Sequence, residues 1–289
     1  MDWASRRASS VLESALQEDR ATHDATSHAC IDEGQLAVAT ILAKQDCVLA
    51  GIGAVARIFE VFAQLEGSVH IHAEVTTHTE IFDGVRLHKG QPVAVIRHNA
   101  RAILSCERVI LNLLQRMSGI ATATRRYVDA IAGTKCRILD TRKTAPGLRL
   151  IDKYAVRCGG GQNHRLDLSD GILVKNNHVD LAGGIREVLE RAHRNRQGEQ
   201  PIQVEVRSMA ELEDALQYGA EAILLDNMTP EAIAEAVRRI AGRALTEASG
   251  GIDLDNVRAV AEAGVDIISI GTLTHSAPAI DIHMTLFLE

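Results

Sequence analysis

"IQVEVRSMAELEDALQYGAEAILLDNMTPEAIAEAVRRIAGRALTEASGG", residues 202–251, decides the fold class. Short apolar runs predict strands at 202–206, 222–225 and 244–248, and the segments between them, 209–219 and 229–242, have the length of helices. Strands that alternate with helices build a parallel sheet. Each of these strands finishes in a residue suited to chemistry or close ligand approach: Glu205, Asp226 and Ser249-Gly250-Gly251.

The same rhythm extends outward. "RIL" (137–139), "GILV" (171–174) and "DIISI" (266–270) read as further strands, ending in Asp140-Thr141-Arg142, Lys175 and Gly271. A doubly wound sheet gathers its ligand at one switch point, whereas a β/α barrel collects contributions from many strand ends at its C-terminal mouth. The even spread of chemical residues selects the barrel. Upstream, residues 8–18 predict an amphipathic helix. "GQLAVATILA", "CVLAGI", "SVHIHAEV" and "QPVAVIRH" then read as short strands, separated by turns at Gly67-Ser68, Asp83-Gly84 and Lys89-Gly90. A small, mainly antiparallel domain is expected there. It is followed by a helix over about 106–131 with the stripe Val109, Ile110, Leu113, Leu114 and Met117.

With 289 residues, 46% hydrophobic, 24% charged and 3% aromatic, the chain has an aliphatic core and no disordered bias. A formal charge of −7 argues against nucleic-acid binding, which needs a basic surface, and points to small-molecule partners. Cys30, Cys47, Cys106, Cys136 and Cys158 form no C-x-x-C pair and read as small buried hydrophobes of a reducing compartment. Neither a secretory leader nor a membrane span is expected, so the location is cytoplasmic.

Against that acidic background, Arg142, Lys143, Arg149, Lys153, Arg157, Arg165 and Lys175 crowd into one region beside His164 and His178, opposed by Asp140, Asp152, Asp167 and Asp170. Unit charges about 4 Å apart interact by roughly 4 kcal/mol at an effective dielectric near 20. Converging cations therefore call for a polyanion. Arg suits planar carboxylates and Lys suits phosphate. Lys153 and Arg157, four residues apart, read more simply as a solvated helix face. Glu205 and Asp226 fit either Mg²⁺ binding or local ion pairs. The glycines after 249 and at 271 fit either a phosphate cradle or tight turns, and a helix expected from about Leu254 would add its N-terminus to the cradle. His70, His72 and His78 read as ordinary strand histidines, not as a metal site.

"ERVILNLLQRMSGIAT" (107–122), "LDTRKTAPGLRLIDKYAVRCGGGQNHR" (139–165), "ILVKNNH" (172–178), "LLDN" (224–227), "EASGGI" (247–252) and "ISIGTLTHS" (268–276) together resemble the quinolinate phosphoribosyltransferases. The resemblance implies an N-terminal α/β sandwich domain (1–116, with 273–289 packing on it) and an incomplete β/α (TIM-like) barrel (117–272). It implies transfer of phosphoribosyl from phosphoribosyl pyrophosphate (PRPP) to quinolinate with decarboxylation to nicotinate mononucleotide, with Mg²⁺, in a homodimer with shared active sites. Arg108 of a neighbouring subunit would join Arg142, His164, Arg165 and Lys175 around quinolinate. Lys143, Glu205, Asp226, Ser249, Gly250, Gly251 and Gly271 would serve PRPP, with Glu205 and Asp226 toward Mg²⁺. Lys143, Lys175, Glu205 and Asp226 would be catalytic.

Departures from the family pattern are Gln203 and Arg207 beside Glu205, Asp167, His98, and "HDAT" at 23–26. The competing expectations are a molybdate-transport-associated paralogue with another acceptor, a non-catalytic sugar-phosphate-binding barrel, and an aldolase-type Schiff base at Lys175.

Overall fold

The computed structural model describes residues 1–67 and 73–289. The chain divides into two compact units. The first comprises Met1–Arg125, Thr144–Gly160 and Thr274–Glu289; the second comprises Arg126–Lys143 and Gly161–Leu273. Among the described residues no helix is long and apolar enough to cross a membrane.

The first unit contains strands β1 (Leu36–Ala43), β2 (Cys47–Val48), β3 (Glu74–Thr76), β4 (Arg86–Leu87), β5 (Pro92–Asn99) and, at the end of the chain, β12 (Ile282–Leu288). Four of them form an antiparallel sheet in the order β12-β1-β5-β3, while β2 and β4 pair separately. Along β1 the side chains alternate, with Ala37, Ala39, Ile41 and Ala43 buried, as a half-buried strand demands. Helices α1 (Arg6–Glu18), α2 (Ala25–Cys30), α3 (Ile52–Glu66) and α5 (Arg149–Cys158) belong to this unit, with most of α4 (Ala100–Ala130).

Two readings of this region need correction. "CVLAGI" is a strand only at Cys47–Val48, and Ile52 already opens the fifteen-residue helix α3. Its buried residues, Ala54, Val55, Ile58, Phe59, Val61 and Phe62, lie so close together in sequence that the run imitates a buried strand. The long helix also starts at Ala100, earlier than its apolar stripe indicates, although Val109, Ile110, Leu113, Leu114 and Met117 are all buried. Most of the expected strand "SVHIHAEV", with His70 and His72, lies outside the described residues.

Some departures find local explanations in this unit. His98 is buried edge-on against Phe59, with ring centroids 5.3 Å apart, so it ties β5 to α3. In "HDAT", Asp24 caps α2 by accepting from the Thr26 and Ser27 N–H groups and also holds the Ser27 and Ser105 hydroxyls. Glycine is required at 119, because a Cβ there would stand 2.2 Å from the Pro278 carbonyl oxygen. The α4 backbone meets the 278–279 chain at that point.

In the second unit, β6 (Arg137–Leu139), β7 (Ile172–Val174), β8 (Ile202–Val206), β9 (Ala222–Asp226), β10 (Leu245–Ser249) and β11 (Ile267–Ser269) form one parallel sheet in the order β6-β11-β10-β9-β8-β7. The order is a ring opened between the first strand and the second: β7 to β11 follow the chain, and β6 closes onto β11. Gln162 makes a parallel bridge with Leu139, so the chain beyond β6 partly fills that opening. This is the incomplete barrel. Helices α6 (Asn176–Ala182), α7 (Ile185–Asn195), α8 (Met209–Gln217), α9 (Pro230–Ile240) and α10 (Val257–Glu262) neighbour one another in chain order.

Register assigns the two faces of this sheet. Val204 pairs with Ile223, and Ala248 with Ile268; these face the helices and are fully buried. The alternate set, Gln203, Glu205, Asp226, Glu247, Ser249 and Ser269, faces the interior. Polar residues therefore line the inside of the barrel, and all six strands present their C-terminal ends on the same side.

Candidate active site

β6 leads into the first part of the site. Beyond it Asp140 is fully buried, and its carboxylate accepts from the Asn163 side chain at 2.6 Å and the His164 backbone N–H at 2.9 Å. That pair of bonds ties the 163–165 segment to the end of β6. Arg142 and Lys143 follow Asp140, with the Lys143 N–H donating to the Thr141 hydroxyl at 3.0 Å. Arg142 is half-buried, and its Nε is buried without a hydrogen-bond partner. A guanidinium N–H left in that state is costly unless something accepts from it.

Arg165 donates to the Gly171 carbonyl at 3.1 Å. Burial, and then the Arg142 guanidinium beside it, hold Arg165 below the ordinary guanidinium range, with Asp170 offsetting only part of this. Two arginines are thus close enough to repel. His164 turns its Nδ1 to accept from the Arg165 N–H at 2.8 Å and its Nε2 toward Glu247 at 3.4 Å. Glu247 is 2% exposed. Burial pushes its carboxyl up, but His164, Ser269 and Gln203 together hold it below the usual range.

Along the sheet, Lys175 lies exposed beyond β7, where His178 Nδ1 accepts its N–H at 2.9 Å. On β8, Glu205 accepts from the Asn176 amide. Burial raises the Glu205 carboxyl above its usual value, and the Asp226 charge raises it further, while Lys175, Asn176 and Arg207 pull the other way. Two carboxylates on adjacent strand ends therefore share one electrostatic neighbourhood. Ser249 registers with both Asp226 and Ser269. At Gly250, φ is +88° and a Cβ would meet the Asn227 side chain at 2.4 Å, so only glycine fits beside it. Gly251 and Gly271 complete the small residues at these ends.

The second unit thus brings together Arg142, Lys143, His164, Arg165, Lys175, Glu205, Asp226, Ser249, Gly250, Gly251 and Gly271 at or beside its strand ends. The other cations sit elsewhere in the chain. Arg108 is exposed on α4, and Arg149, Lys153 and Arg157 are on α5, all in the first unit. Lys153 is 3% exposed and does not lie on a solvated face. Of the Lys153–Arg157 pair only Arg157 is exposed, stacked over the Tyr154 ring at 5.7 Å. The helix expected from Leu254 begins at Val257 and has six residues, so the Ser249–Gly251 turn relies on its own backbone. Among the described residues no three His, Cys, Asp or Glu side chains converge on a metal position.

Glu247 was not legible as a site residue. Its signal is a carboxylate two positions before Ser249, on the same strand face, within an otherwise small and apolar run. Gln203, a departure by pattern, is explained by that neighbour: its amide donates to Glu247 at 2.7 Å, where a second acid would repel. Arg207 pairs outward with Glu211 and Asp180, and Asp167 caps a turn at Ser169.

Residues 24–118 match the family model for the N-terminal domain of quinolinate phosphoribosyl transferase, and residues 120–285 match that for its C-terminal domain. A probable carboxylating nicotinate-nucleotide pyrophosphorylase of Bacillus subtilis is 42% identical, over 96% of this chain and 93% of its own. The Mycobacterium leprae carboxylating nicotinate-nucleotide pyrophosphorylase is 40% identical, over 96% and 97%. Among solved structures, the nicotinate-nucleotide pyrophosphorylase of Ehrlichia chaffeensis superposes with a TM-score of 0.89 at 35% identity, covering 96% of this chain and 98% of that one.

Proposed function

The chain belongs to the quinolinate phosphoribosyltransferase family, and from that premise we propose how its residues carry a phosphoribosyl group from PRPP to quinolinate with loss of CO₂ and pyrophosphate. The observation that carries the reading is the Arg142–Arg165 pair: two half-buried guanidiniums, mutually repulsive, one with an unmatched N–H. A planar dicarboxylate answers both needs. In this reading Arg142, His164, Arg165 and Lys175 surround the quinolinate carboxylates. Arg108 from a second copy of the chain completes them, in a homodimer with shared sites. Lys143 serves PRPP, and Ser249, Gly250, Gly251 and Gly271 take its 5′-phosphate through hydroxyl and backbone N–H groups.

Glu205 and Asp226 face the ribose. Their mutual repulsion, which raises the Glu205 carboxyl, is relieved by a divalent cation or by positive charge developing on the sugar. Two carboxylates, with phosphate oxygens supplying the rest, suit Mg²⁺. Glu205 and Asp226 would hold such an ion, whose chemistry there would be to offset charge on the departing pyrophosphate.

The residues' own work is positioning and electrostatics. Arg142 and Arg165 align the pyridine nitrogen with C1′, converting attack into an intramolecular step. The Glu205–Asp226 pair stabilises the oxocarbenium-like sugar as the C1′–O bond to pyrophosphate breaks. After the N–C1′ bond forms, the ring nitrogen is positive. The C2–carboxylate bond then breaks, its electron pair stays at C2 beside that nitrogen, and a solvent proton replaces CO₂. The adjacent positive nitrogen stabilises that pair electrostatically until C2 is protonated. The location proposed for this chemistry is cytoplasmic; of the five cysteines Cys47, Cys106 and Cys136 are the buried hydrophobes expected, whereas Cys30 is exposed and Cys158 half-buried.

The test is product analysis of purified protein given PRPP with quinolinate, nicotinate or nicotinamide. Nicotinate mononucleotide is expected from quinolinate alone, with none formed when Mg²⁺ is withheld; turnover of nicotinate instead would overturn the reading. The shared site has its own check. Inactive Arg108→Ala chains mixed with inactive Lys143→Ala chains are expected to regain about a quarter of wild-type activity, since half the chains pair heterologously and each such pair rebuilds one intact site. Verified heterodimers without activity would refute sharing.

A further inference from the structure

Glu247 poses a question that folding does not answer. It lies on the inner face of β10, 2% exposed, with Oε1 buried and lacking a hydrogen-bond partner. A buried carboxylate with an unfilled acceptor is costly, and an apolar residue of similar volume is often as stable or more so. The residue is therefore there for what it holds. Its Oε2 receives the Gln203 amide at 2.7 Å and faces His164 Nε2 at 3.4 Å.

The backbone N–H and both ring nitrogens of His164 face protein groups. Its backbone N–H donates to the fully buried Asp140 at 2.9 Å. Because Nδ1 accepts the Arg165 N–H at 2.8 Å, Nδ1 carries a lone pair and the ring proton sits on Nε2, facing the carboxylate. Both ring nitrogens are thus turned to protein groups. What the imidazole transmits is position: Glu247 fixes the ring, and the ring fixes the backbone at Arg165.

We propose that Glu247 is a positioning residue that acts through His164 to aim the Arg165 guanidinium at a substrate carboxylate. The inference rests on the reading in which Arg165 binds quinolinate. The contacts of Glu247 with His164, Gln203 and Ser269 join four segments, the loop after β6 and strands β8, β10 and β11, and of these only the His164 contact leads to Arg165, so loss of the carboxylate is expected to displace Arg165 most.

Glu247→Met, which keeps the length but no strong acceptor, is compared with Glu247→Gln, which retains an oxygen for both donors. Glu247→Met is expected to raise KM for quinolinate on the order of 10- to 100-fold while KM for PRPP stays within about threefold, the cost of a misplaced binding group. Glu247→Gln is expected to recover most of that loss. Equal rises in both KM values, an unchanged quinolinate KM in folded Glu247→Met, or Glu247→Gln as impaired as Glu247→Met would each overturn the proposal.

Nitrogen NMR of histidine-labelled wild-type protein keeps the question decidable if Glu247→Met does not fold. A proton on Nε2 and none on Nδ1 of His164 is expected near neutral pH, with and without quinolinate, and any other protonation pattern overturns the proposal. A wild type that turns over quinolinate beside an unaffected Glu247→Met overturns this inference and leaves the family reaction standing. A wild type inert on quinolinate overturns both.

Discussion

Arg165→Ala is expected to lower kcat/KM for quinolinate by about 10³-fold, from the roughly 2–5 kcal/mol that truncating one partner of a desolvated charge pair costs. Most of the loss should appear in the quinolinate KM, because the fork holds a carboxylate in ground and transition states alike. Arg165→Lys retains the charge without the fork and should recover only part of the loss. Stability should move the other way. The folded protein disfavours the Arg165 charge through burial and through Arg142. Removing the guanidinium is therefore expected to leave the unfolding free energy unchanged or to raise it by up to about 1 kcal/mol, the pattern of a residue kept for function at some expense to the fold. Steady-state kinetics and urea unfolding of the same preparation decide the matter: a marked drop in stability with near-normal KM would identify Arg165 as structural.

Asp152→Ala is expected to destabilise the first unit by about 3–5 kcal/mol, the usual result of breaking a buried, hydrogen-bonded ion pair from one side. Asp152 is fully buried and takes a two-point grip from Arg116, Nε to Oδ1 at 2.8 Å and NH2 to Oδ2 at 2.7 Å. It also accepts the Ala145 N–H at 3.2 Å, and Arg116 reaches the Thr274 carbonyl at 3.3 Å. One carboxylate thus joins α4, α5, the turn before α5 and the start of the C-terminal segment. The protein carries its own reporter for the loss. Trp3, the only tryptophan, packs edge-on to Tyr154 in the same unit, with ring centroids 5.8 Å apart. Its fluorescence through a urea titration follows the unit concerned. Asp152→Asn keeps acceptor geometry without the charge and should fall between; a midpoint for Asp152→Ala equal to wild type would mean that the Arg116 pair contributes nothing.

These two residues also mark where sequence reading succeeds and fails. Arg165 was legible because a strand-end position, a glycine-rich approach and an acidic chain made its charge conspicuous. Asp152 was not: it counts in the sequence only as one of four acids opposing the cations, and its neighbour Lys153 reads with Arg157 as a solvated helix face, yet Asp152 and Lys153 are both buried while Arg157 is exposed. Helical spacing identifies which residues share a face; it does not say whether that face meets water. Similarly, α3 was lost in an apolar run whose helical and strand readings agree over any short window, and only its length separates them.

From residue pattern alone, this chain's parallel strand–helix alternation, the residues at the ends of those strands and its family resemblance were already legible. Those properties are local: an apolar period sets the element and its inward face, and ordered short motifs need no three-dimensional context. Which charges are buried, which are matched and which repel was decided only in the tertiary structure. Sheet register and ring closure set Glu247 against His164 and Gln203, and Arg142 against Arg165, from segments far apart in the chain. The energy of a charge depends on the dielectric and the partners around it, and neither exists until those segments meet.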